Sequence, residues 1–149
     1  MYNGLLHLHN FLRWIILILL IVSIAQSFAA KSGKPANGLK KSSLFLLISA
    51  HITLLIGLYQ YFAGPVGYKT IQEYGMSEVM KNTALRFWSV EHITGMLIGI
   101  VLITIARGKV KKAQFSSAGW LYIVALLIIL ATVPWPFRAG IGRALFPGM

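Results

Sequence analysis

Four apolar stretches, Leu5–Ala30, Ser42–Phe62, Phe87–Ala106 and Ala118–Val133, fill most of the 149-residue chain. A backbone in hydrocarbon must satisfy its own N–H and C=O groups, which leaves helices and closed barrels as the only spanning structures. None of the four stretches shows the strict alternation of barrel strands, so each is expected to be a helix. The first three reach or approach the ~20 residues that cross hydrocarbon. The fourth is shorter and ends at Pro134-Trp135-Pro136, where proline stops a helix and tryptophan suits the interface. The expected fold is all-α: a single integral membrane four-helix bundle.

Composition agrees. Hydrophobic residues make up 57% of the chain and charged residues 11%, against roughly 25% charged in soluble domains. With no cysteine, disulfides, thiolate metal sites, iron–sulfur clusters and covalent haem attachment are excluded. The net charge of +11 is concentrated between the spans. Lys31, Lys34, Lys40 and Lys41 lie in one connection, and Arg107, Lys109, Lys111 and Lys112 in another. Short basic connections mark the cytoplasmic flank of a membrane protein, so both termini are expected on the other side. The partner implied by this charge is the anionic surface of a lipid bilayer, not nucleic acid. The first span is read as a retained anchor, since nothing basic precedes it and lysines follow it.

The long connection 63–86 opens with Gly64-Pro65-Val66-Gly67, a turn-rich exit from the second span. Met76, Val79, Met80 and Ala84 then recur at helical spacing, which allows a short interfacial helix within Met76–Leu85 or an ordinary connector.

Five ionisable residues interrupt the spans: His9, Arg13, His51, Glu91 and His92. Each costs at least a few kcal/mol in hydrocarbon unless it is paired, ligated or turned to a protected interior. On the first span His9, Arg13, Ile16, Leu20, Ser23 and Ser27 share one face, a polar stripe expected to point into the bundle. His7 lies about 200° around the helix from His9 and is read as interfacial. On the third span His92 shares a face with Gly95 and Gly99, a GxxxG spacing. That spacing serves close helix packing and also allows a flat macrocycle to approach the backbone. Glu91 is expected to pair with Arg13 or Arg86.

Histidines on three different helices point to a buried metal site, with haem iron as the usual occupant. Counting ~1.5 Å per residue from the basic flanks, His51 lies about 15 Å up, His92 about 22 Å and His9 about 31 Å. The expected axial pair is His51 with His92, and His9 is the substitute. Arg13 is placed to hold a haem propionate through a bidentate, charge-assisted contact.

The motifs Leu6-His7-Leu8-His9-Asn10-Phe11-Leu12-Arg13-Trp14, His51-Ile52-Thr53-Leu54-Leu55-Ile56-Gly57, Arg86-Phe87-Trp88-Ser89-Val90-Glu91-His92 and Pro134-Trp135-Pro136-Phe137 follow in that order. In this the chain resembles small four-span bacterial membrane proteins called cytochrome B, which are similar to b-type cytochromes built as four-helix bundles. The resemblance implies haem b held by histidines, a bacterial inner membrane, and electron transfer with a quinone or a redox protein. One internal histidine per core span, and none in the fourth, limits the expected haem content to one.

Two other readings use the same residues differently. In a haem-free accessory subunit of a larger membrane complex, the histidines, Arg13 and Glu91 make interhelical hydrogen bonds and ion pairs. In a transporter, the histidines bind a metal or relay protons. Met96 is the sole methionine inside the third span, and only the first span carries polar residues through its depth. Catalytic motifs are missing: no HExxH, phosphate loop or paired carboxylates. A non-catalytic electron carrier or subunit is therefore expected.

Overall fold

The computed structural model describes residues 2–31, 36–64 and 67–133. Six helices follow one another: α1 (Tyr2–Ala29), α2 (Asn37–Ala63), α3 (Tyr68–Lys81), α4 (Thr83–Arg86), α5 (His92–Lys111) and α6 (Phe115–Thr132). A π-helical turn, Phe87–Glu91, joins α4 to α5, so that Thr83–Lys111 runs as one 29-residue rod. Four helical stretches are long and apolar enough to cross a membrane: Gly4–Ala29, Asn37–Ala63, Thr83–Lys111 and Phe115–Thr132. The protein is an all-α, multi-pass membrane bundle. At the basic flanks α2 and α5 overrun their apolar stretches, to Asn37 and Lys111, because hydropathy registers only the hydrocarbon portion. Lysine suits such helix ends, since its stem can lie along apolar surface while its charge reaches the headgroup layer.

The four long helices form a ring. α1 packs on α2, α2 on α5, α5 most extensively on α6, and α6 back on α1. Inside lie Leu20, Leu46, Ile103, Ala106, Tyr122 and Ala125, all buried. Outside, Leu55, Leu127 and Trp120 are 68%, 61% and 60% exposed, an apolar exterior that only lipid can solvate. α1 turns its polar stripe inward as its periodicity requires: Arg13, Ile16, Leu20, Ser23 and Ser27 are all buried.

The contact between α5 and α6 depends on two glycines. A Cβ on Gly95 would stand 2.3 Å from Thr132 Cγ2, and one on Gly99 would stand 2.9 Å from Ile129 Cγ1. Without a hydrophobic driving force between helices in lipid, such close approach supplies the van der Waals contact that holds them.

The connection after α2 is more broken than its spacing implies. α3 is interrupted at Gly75, where φ of 80° suits glycine alone. At Asn82 the chain is extended, and the Asn82 side chain accepts a hydrogen bond from the Leu85 N–H at 3.1 Å, capping α4. The single short helix allowed within Met76–Leu85 is thus two. Val79 is its buried anchor, and Met76 and Met80 are exposed.

Candidate metal-ligating site between the first, second and fifth helices

The site begins with the π turn. Its wider winding carries an i→i+5 bond from the His92 N–H to the Phe87 carbonyl. The same winding sets Arg86 and Glu91, five residues apart, on one side, where Arg86 Nε meets Glu91 Oε1 at 2.7 Å. Arg86 Nη1 also donates to the Met80 carbonyl. Glu91 therefore pairs with Arg86, one of its two expected partners. A π turn displaces carbonyls from the helical ladder, and here that of Ser89 is met from α2. The Tyr61 hydroxyl donates to the Ser89 carbonyl at 2.7 Å, while Ser89 Oγ donates to the Gly67 carbonyl at 3.1 Å. Tyr61→Phe should destabilise the protein by about 1 kcal/mol, measured by thermal unfolding in detergent.

Directly after this turn, His92 points toward α6. Its Nδ1 lies 2.7 Å from the Thr132 carbonyl. A carbonyl only accepts, so Nδ1 carries the hydrogen and Nε2 carries the lone pair. Thr132 ends α6, where carbonyls lack intrahelical partners, so the contact also caps that helix. A backbone carbonyl on one ring nitrogen is the arrangement that orients a ligating imidazole. Phe87 and Trp88 enclose the ring, with centroids 5.7 and 5.9 Å away.

His9 approaches from α1. Its ring centre lies 6.3 Å from that of His92, with the planes 62° apart. Two metal–nitrogen bonds of about 2 Å, plus about 1 Å from each nitrogen to its ring centre, span roughly the same distance. On the α2 side, a Cβ on Gly57 would lie 3.4 Å from His9 Cε1, so a larger residue there would crowd the imidazole. Both histidines border a cavity of about 140 Å³. Asn10, Arg13, Gln60, Tyr61 and Trp88 supply its polar or amphipathic lining, and Leu54, Leu58, Met96 and Ile100 the apolar part. Arg13 is 9% exposed, with its guanidinium carbon 5.4 Å from the Trp14 ring centre, a cation–π distance.

Three expectations need correction. His51 does not meet His92: it is exposed on the outer surface, and its Nδ1 bonds the Leu47 carbonyl of its own helix at 2.8 Å. α2 instead contributes Ala50, Thr53, Leu54 and Gly57 to the cavity, and His51 lies about 100° around the helix from Ala50. Depth arithmetic fixes height in the membrane but carries no information about direction. Gly95 and Gly99 face Thr132 and Ile129 of α6 and do not line the cavity; they serve packing, not a macrocycle. Finally, the three histidines do not converge. Among the described residues no three His, Asp or Glu side chains gather around a possible metal position, and the pair is His9 with His92. Pro134-Trp135-Pro136-Phe137 lies outside the described residues.

Sequence reasoning missed Thr132, Gly57, Gln60, Tyr61 and the π turn. Gly57, Gln60 and Tyr61 share one face of α2 at helical spacing, a signal that was available. Nothing in the residues of Phe87–Glu91 announces a π turn. No protein-family model, curated protein or solved structure matches the chain.

Proposed function

We propose that this protein is a b-type-cytochrome-like membrane electron carrier, with one haem b ligated by His9 and His92. The observation that carries the reading is the 6.3 Å separation of the two rings, with the His92 tautomer fixed by the Thr132 carbonyl. The motif resemblance to b-type cytochromes supports the same cofactor. Bound haem supplies a one-electron couple. The chain's own residues do the rest. Thr132 orients His92, and the apolar lining keeps the site dry. Buried Arg13 sets a positive charge at the cavity wall, suited to a haem propionate. The electron partner is a quinone or a redox protein. The basic flanks at Lys31–Lys41 and Arg107–Lys112 support a cytoplasmic side at that end and both termini on the other, and the motif resemblance supports a bacterial inner membrane.

A haem-free accessory subunit is the second reading, and one observation favours it. A cavity of about 140 Å³ is the size of one that holds benzene, so a macrocycle requires Leu54, Leu58 and Met96 to move apart. Haem stoichiometry separates the readings. With haem supplied during expression, His9→Ala should retain less than about a tenth of the wild-type haem and His51→Ala all of it. The reverse order would restore the His51 pairing, and haem-free wild type would leave the accessory subunit.

A further inference from the structure

The opposite end of the bundle holds a second polar site, unrelated to the histidines. Fifteen residues of α5, about 22 Å of helix, separate His92 from Arg107. Arg107 is half-buried, and its Nε and Nη1 are buried with no hydrogen-bond partner among the described residues. The register that sets Gly95 against Thr132 and Gly99 against Ile129 brings Tyr122 of α6 level with Arg107; Tyr122 is fully buried, and its hydroxyl also has no hydrogen-bond partner among the described residues. Ser23 and Ser27 of α1, 0% and 1% exposed, bring further unpartnered hydroxyls to the interior at this end. Phe28, packed against the Gly119 backbone and the Trp120 ring, fixes the last turn of α1 beside the first turn of α6.

Among the described residues no acidic side chain pairs with this charge. The chain contains three acids, Glu73, Glu78 and Glu91. All lie beyond the far end of α5, and Glu91 is already paired with Arg86. At the same end of the bundle, Lys40, Lys41, Lys111 and Lys112 are exposed and add only positive charge. A half-buried guanidinium with two unmet donors, a buried hydroxyl alongside and a cationic rim calls for an oxyanion with several acceptor atoms. Phosphate matches: its oxygens carry enough lone pairs to accept from the guanidinium and from the Tyr122 hydroxyl.

We propose that Arg107, with Tyr122, binds a phosphate group at this end of the bundle, carried by an anionic phospholipid or free as inorganic phosphate. The site needs only the described inner end and does not depend on haem. The lysine rim gathers anions electrostatically, and the half-buried guanidinium selects among them.

The test uses the full-length protein purified in mild detergent, with co-purifying phospholipid counted per chain. Thermal stability is then measured with added phosphatidylglycerol, with phosphatidylcholine and with inorganic phosphate. Wild type should retain about one phospholipid and gain stability from phosphatidylglycerol but not phosphatidylcholine. Arg107→Gln should lose at least about threefold of the bound lipid, and its response to phosphatidylglycerol. Lys40→Gln with Lys41→Gln should keep both. A stability gain from inorganic phosphate alone, absent in Arg107→Gln, would assign the site to the free ion. If Arg107→Gln does not fold, Tyr122→Phe and Arg107→Lys provide the comparison: each keeps the bulk and should weaken the response. Equal lipid content in wild type and Arg107 variants would overturn the proposal. So would an equal loss in the lysine double variant, which would reduce the site to a diffuse basic rim.

Discussion

His92→Ala should purify with less than about a tenth of the wild-type haem, and the bundle should remain folded. Two losses coincide at this residue. The proposed ligand nitrogen disappears, and the Thr132 carbonyl loses its donor at the end of α6. The second loss is worth about 1 kcal/mol of stability, too little to unfold a four-span bundle held by buried contacts along α5 and α6. His92→Gln separates the two effects. Its amide N–H can reach toward the same carbonyl, so it should recover stability without recovering haem. Haem retained in His92→Ala would remove His92 as a ligand and leave it a helix cap.

The largest structural effect is expected from Gly95→Leu. A Cβ at that position already overlaps Thr132 Cγ2 at 2.3 Å, so a whole isobutyl group must push α6 outward. Overpacking of this kind costs about 1–3 kcal/mol and occasionally more, and here it also breaks the close contact that substitutes for hydrophobic attraction in lipid. The damage should spread to the histidine site. Thr132 carries both the methyl that Gly95 accommodates and the carbonyl that holds His92, less than one turn away on α5. Reduced haem content should therefore accompany the lower unfolding temperature. Gly108→Ala is the internal control, since a Cβ there meets nothing within 4 Å. Removing a helical glycine should stabilise α5 by up to about 1 kcal/mol. Equal destabilisation by both variants would mean that helix propensity, not the α5–α6 contact, governs this face.

The spans and the inward stripe on α1 were readable because each follows from one variable. Long apolar runs must be helices in lipid, and a 3.6-residue period fixes which side of α1 is polar. Gly95 and Gly99 were half-readable: their spacing announces close approach but not what approaches, and Thr132 with Ile129 occupies the place a macrocycle was expected to take. His51 shows where one-dimensional reasoning stops. Its height is compatible with a ligand, but its direction depends on how α2 is rotated, and that rotation is set by contacts with α1 and α5. Rotation on α5 is further reset by the π turn before His92, whose stability comes from Tyr61, twenty-eight residues earlier than Ser89. The Thr132 carbonyl is a backbone group and has no signature in any side-chain pattern.

The most direct measurement is the absorption spectrum of the detergent-purified wild-type protein, oxidised and then dithionite-reduced, after expression with haem supplied and with haem quantified against protein. Two facing imidazoles on one iron give a six-coordinate, low-spin b-type spectrum in both states, at about one haem per chain. That is the expected result, and together with haem loss in His9→Ala and His92→Ala it would assign the iron to those two residues. A protein with no Soret band under these conditions would contradict the account and return His9 and His92 to roles in helix packing.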